Sequence, residues 1–143
     1  MKTYFELQPL KSVGPIAFKD TQADAINAIG QPDKTFKRNK FSSWPLDQFE
    51  NLSCFINYDK EGQIEALEFY EGAEVIYFGR NLMTLSFSEA KTFLSNLKLD
   101  FKENDESLLC HDLGISFYYP SLETEPNNTP DTLLVFASGY WDD

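Results

Sequence analysis

Two stretches of this chain space their apolar residues at the helical period; both carry a capping signal at the start, and the first also carries signals that end it. Asp20 or Thr21 can cap Gln22–Ile29, and Thr21 has Asp24 three positions on, a loose match to the capping box. In that box the hydroxyl accepts from a first-turn N–H, and the acid accepts from the N–H of the cap residue. Ala25, Ile26 and Ile29 make one narrow stripe, Gly30 supplies a positive-φ exit, and Pro32 prevents continuation. Ser86-Phe87-Ser88-Glu89 is a better box. The helix it opens runs to about Leu97 and turns Ala90, Phe93, Leu94 and Leu97 inward.

The remainder reads as extended chain. Residues 4–7, 16–18, 33–38, 52–58, 63–70, 73–78, 101–103, 107–110, 115–119 and 132–138 form short strand-like runs. Turns fall at Gly14-Pro15, Asp59-Lys60-Glu61-Gly62, Gly79-Arg80-Asn81 and His111-Asp112-Leu113-Gly114. Residues 39–51, with Trp44-Pro45, and residues 120–131, with three prolines, read as loops. The expected class is α+β: one antiparallel sheet with two short helices on one face. The other face would then stand open to water as a docking surface.

The order strand, capped helix, strand, hairpin occurs twice. Leu67-Glu68-Phe69-Tyr70-Glu71-Gly72 is echoed by Leu134-Val135-Phe136-Ala137-Ser138-Gly139, a shared L-x-F-x-x-G. This spacing predicts a single domain, 1–143, built of two pseudo-repeats near 4–72 and 73–143. Chance likeness of short strands is the competing explanation.

Aromatics are 15% of the chain, with 13 Phe and 7 Tyr, enough for one packed core and incompatible with a disordered composition. Lys and Arg total 12 against 23 Asp and Glu, a net charge of −11. That field repels phosphate backbones, so nucleic acid is not an expected partner, whereas a basic protein would be steered in. Solubility alone explains the same charge. No run approaches the length of a signal peptide or membrane span, so cytoplasmic residence without membrane attachment is expected.

The run Val13-Gly14-Pro15-Ile16-Ala17-Phe18-Lys19-Asp20-Thr21, a short helix, then Ile29-Gly30-Gln31-Pro32-Asp33 resembles a pattern of small bacterial proteins. The pattern, G-x-I-x-F-G-M-T, helix, L-G-x-P, is found in proteins similar to the β-lactamase-inhibitory protein and the outer-membrane-assembly lipoproteins. The likeness spans residues 13–33, and Lys19-Asp20 departs from the usual Gly-Met. It implies tandem α/β units that bind other proteins, and it transfers no binding residue. The signal and lipid-anchored Cys of those lipoproteins have no counterpart. By analogy with bacterial immunity proteins, an acidic cytoplasmic member would neutralise its partner.

No catalytic set stands out. His111-Asp112 is the one imidazole–carboxylate pair, on a turn where neighbours seldom face each other, and no nucleophile elbow surrounds Ser107 or Ser116. Cys54 and Cys110 sit in apolar runs and match neither a disulfide framework nor a zinc pattern. Phosphate-binding glycine loops and a calcium loop are missing. No catalytic residue, metal or cofactor is assigned.

The expected site is instead a partner-binding surface. Trp44, Phe55, Tyr70, Tyr118 and Trp141 supply apolar anchors, and Glu65, Glu68 and Glu71 select a basic protein. Two readings compete with this: a small enzyme or small-molecule binder with a site between the repeats, joining His111 or Cys110 to several Glu, and a structural homodimer.

Overall fold

A computed structural model describes residues 5–37 and 44–140. In chain order the strands are β1 (Phe5–Gln8), β2 (Ser12–Val13) and β3 (Ile16–Ala17), then helix α1 (Gln22–Ile29). Next come β4 (Lys34–Phe36), β5 (Leu46–Phe49), β6 (Cys54–Tyr58), β7 (Ile64–Tyr70), β8 (Val75–Tyr77) and β9 (Arg80–Asn81). Helix α2 (Phe87–Asn96) precedes β10 (Lys102–Glu103), β11 (Ser107–Cys110), β12 (Ile115–Tyr118) and β13 (Thr132–Phe136).

Both helices begin where their boxes put them. The Thr21 hydroxyl accepts from the Asp24 N–H, and the Asp24 carboxylate accepts from the Thr21 N–H at 3.0 Å. Ser86 and Glu89 repeat the exchange. These bonds hold both carboxyls below the ordinary range, with the backbone bond the larger cause in each.

The expectation of one sheet is corrected to two. The large sheet is antiparallel and eight-stranded, in the order β10-β11-β12-β13-β7-β6-β5-β4. Four consecutive strands follow each helix, and the two meanders meet where β13 pairs with β7. The second sheet is mixed, β3-β2-β1-β8-β9, because β1 runs parallel to β8. The physical reason is cover. Eight strands present more apolar surface than two short helices can bury, so the N-terminal hairpin and β8–β9 complete the second layer. Phe5 of β1 lies against Phe69 of β7 at 4.9 Å between ring centroids.

Strand alternation assigns the two faces. Ile56, Leu67, Val135 and Ile115 point inward, as do Cys54, Phe69, Leu133, Phe117 and Leu108; all are fully buried. Helix α2 adds Ala90 and Leu94 to this core, and α1 adds Ala25. The two L-x-F-x-x-G runs are not equivalent in space. Leu67 and Phe69 point into the main core, whereas Leu134 pairs with Glu68 and Phe136 with Ala66 on the opposite face, where Ala66 and Phe136 are themselves buried and Tyr140 stacks on Phe136. A one-residue offset in a strand exchanges its faces.

Local departures are also found. The supposed loop 39–51 contains β5, whose inward Asp47 and Phe49 oppose Ile56 and Cys54. Residues 38–43 lie outside the described part. The turn after β8 is Phe78-Gly79, and Arg80-Asn81 is a strand. Among the described residues, no helix is long and apolar enough to cross a membrane.

Candidate functional site

The second layer lies on one side of the large sheet, and the side chains of the opposite face form registered rows across the strands. One row crosses all eight: Lys34, Gln48, Phe55, Glu68, Leu134, Ser116, Leu109 and Lys102. The next runs Tyr70, Thr132, Tyr118 and Ser107. The alternation that buries Cys54, Ile56, Leu67 and Phe69 turns Phe55, Glu68 and Tyr70 outward.

Four expected residues therefore meet on this face. Phe55 and Tyr70 pack at 5.4 Å between ring centroids, and Gln48 donates its side-chain N–H to the Tyr70 hydroxyl at 3.0 Å. Glu68 lies between Phe55 and Leu134 in the first row. Tyr118 is 40% exposed. A trough of about 390 Å³ runs among Glu68, Leu134, Ser116, Tyr118, Thr132 and Tyr140. At its far end Tyr140 stacks on Phe136 at 5.7 Å.

An acidic edge borders the second row. Glu71 follows Tyr70, Asp131 precedes Thr132, and Glu106 precedes Ser107; all three are exposed. Glu71 and Asp131, with Glu74, also line a hollow of about 490 Å³ floored by Ala73, Met83 and Pro130. Glu71 thus stands at the strand ends, beside Asn81, Met83 and Thr84 of the second layer. Asp131 and Glu106 were not singled out from the sequence, because the pairing that aligns them with Glu71 is long-range.

The other expected residues lie elsewhere. Trp44 packs on the inner layer, 6.0 Å from the Tyr58 ring and against Gly62, so it is not part of the open face. Glu65 sits at a bulge: Asn57 pairs with Ala66 and Tyr58 with Ile64, leaving Glu65 between them. Trp141 lies outside the described residues.

Beneath Trp44 is a polar centre that sequence reasoning missed. The Asp47 carboxylate has no exposed surface. It accepts hydrogen bonds from the Tyr58 hydroxyl at 2.7 Å, the Gln22 side-chain amide at 2.9 Å and the Thr35 hydroxyl at 3.0 Å. This ties α1, β4, β5 and β6 together. Burial first, then the bond to Asp47, pushes the Tyr58 phenol far above its usual range. The available signal was the alternation of Asp47 and Phe49 opposite Ile56 and Cys54.

His111 is exposed, with its ring 6.2 Å from that of Phe136. The small hollow beside it, about 140 Å³, is bordered by Asp100, Asp112 and Lys102 and by no glutamate. Cys110 points into the core, and burial raises the pKa of its thiol. Cys54, also buried, is pushed up to about 12 by the same cause. Both therefore stay protonated and unreactive near neutral pH. Among the described residues, no group of three or more His, Cys, Asp or Glu side chains could hold a metal ion.

No family model, curated protein or solved structure matches this chain.

Proposed function

We propose that the chain is a non-enzymatic protein-binding module that engages a basic partner through the open face of the large sheet. The carrying observation is the row Tyr70, Thr132, Tyr118 and Ser107, bordered by Glu71, Asp131 and Glu106. Phenol rings give contact area at small entropic cost, and carboxylates at the rim set encounter rate and choice of partner. The net charge of −11 acts in the same direction at longer range. Inhibition or neutralisation of that partner is the most concrete form of the activity. Descent from a duplicated helix-plus-four-strand unit is supported by the two meanders that meet at β7 and β13, with the repeat offset by one residue from the echo in sequence.

The experiment places a photo-crosslinking amino acid at Tyr118 in the source cells, then purifies the recovered protein and measures its Kd. Tyr118→Arg should weaken binding at least about tenfold, as expected for loss of an aromatic anchor. The paired reversals Glu71→Lys and Asp131→Lys should slow association and flatten its salt dependence. If the purified protein binds all three variants as tightly as the unchanged chain, the open face is not the binding surface.

A further inference from the structure

The trough on the open face of the large sheet gathers polar side chains that the fold itself leaves unused. Its floor is Glu68, Leu134 and Ser116, consecutive in one row. Thr132 and Tyr118 of the next row border it on one side. Asn57 of β6 lines it from the other side, where it pairs with Ala66. Asn57 is only 6% exposed, yet its carboxamide bonds to no described residue. The hydroxyls of Ser116, Thr132 and Tyr118 likewise bond to none of them.

A carboxamide buried this far is costly to leave unpaired, and such groups nearly always find a partner. Elsewhere this chain obeys that rule: among the described residues, no side-chain nitrogen or oxygen sealed from solvent lacks a bond. The access that the Asn57 amide keeps is to the trough. One nearly buried amide and three hydroxyls thus surround a carboxylate, with hydrogen-bonding capacity left for a molecule from outside.

We propose that the trough receives an arginine side chain of the basic partner, a reading that rests on the open face being a protein-binding surface. A guanidinium is planar and donor-only, with five N–H groups and faces that stack on aromatic rings. The Glu68 carboxylate meets its charge, and the Asn57 carbonyl oxygen with the Ser116 and Thr132 hydroxyls accepts its remaining N–H groups. The half-open Tyr118 ring offers a stacking face, and Leu134 an apolar strip for the methylene stem. A volume of about 390 Å³ is ample for that side chain. An ammonium is a point charge that would use Glu68 and leave the amide and hydroxyls unmet. A neutral sugar would suit the hydroxyls but gains nothing from the carboxylate or from a net charge of −11.

The test titrates the purified chain with capped arginine, Nα-acetylarginine N-methylamide, and follows backbone and side-chain amide resonances by two-dimensional NMR. Capped citrulline, which keeps the shape without the charge, and capped lysine are the controls. Saturable shifts centred on Asn57, Ser116 and Thr132 are expected, with a Kd on the order of 1–10 mM for one side chain. Citrulline should not saturate, and lysine should bind at least about fivefold more weakly. Glu68→Gln and Asn57→Ala should each weaken capped arginine about fivefold or more, and their spectra show directly whether the fold is kept. Both variants should also weaken the recovered basic partner about tenfold. Partner binding lost with Tyr118→Arg but unchanged in Glu68→Gln and Asn57→Ala removes the arginine site and keeps the open-face reading. Arginine shifts at the trough with no protein recovered through Tyr118 remove the open-face reading and, with it, a partner's side chain as the occupant. No saturable shift well above the expected Kd, equal binding of citrulline, tighter binding of lysine, or shifts confined to other acidic surfaces overturns the arginine site outright.

Discussion

Removing one hydroxyl tests whether the buried Asp47 centre holds the first half of the large sheet to α1. Tyr58→Phe leaves the ring in place beneath Trp44 and deletes the 2.7 Å bond to the carboxylate. A hydrogen bond to a charged group contributes about 1.5–3 kcal/mol, and here the remaining acceptor stays buried with one donor fewer. Gln22 and Thr35 still donate at 2.9 and 3.0 Å, so the carboxylate is not stripped of partners and the middle of that range applies. The expected loss is about 2 kcal/mol, or roughly 4–8 °C in Tm for a chain of this size. Urea unfolding at constant m measures it. Asp47→Asn in both backgrounds closes a double-mutant cycle whose coupling should exceed about 1 kcal/mol. A loss under about 0.5 kcal/mol, or the same loss with Asp47 already changed, would refute the reasoning.

Three further outcomes are expected. Gly62→Ala should cost about 2 kcal/mol or more and shift tryptophan fluorescence, because its Cβ would fall 2.3 Å from Cζ2 of Trp44 at a φ of +82°. Cys54 and Cys110 should give no rapid reaction with a disulfide reagent at about pH 8 until the chain unfolds, since burial suppresses both thiolates. Asp24 and Glu89 have depressed pKa values in the fold, so their cap contributions are complete above the ordinary carboxylate range and disappear as the pH falls through the folded values. Glu89→Gln should therefore flatten the acid limb of the stability curve, and an unchanged limb would contradict that role.

How much of the site could be read in advance follows from the range of the interactions. Phe55, Glu68, Tyr70 and Tyr118 could be assigned to the open side from alternation within their own strands. Trp44 could not be placed, because its partners Tyr58 and Gly62 belong to a hairpin beyond it in sequence. Asp47 was hidden because a carboxylate in a polar stretch looks solvated until Tyr58, Gln22 and Thr35 converge on it.

Sequence alone determined the two helices and most of the strands, because a capping box, a helix-ending glycine and a two-residue alternation act through neighbours along the chain. Only the tertiary structure decided that there are two sheets, that β7 and β13 lie side by side, and that Glu71, Asp131 and Glu106 line one edge. Those arrangements depend on which apolar surfaces remain to be covered once the local elements exist, and that demand belongs to the assembled layers rather than to any segment.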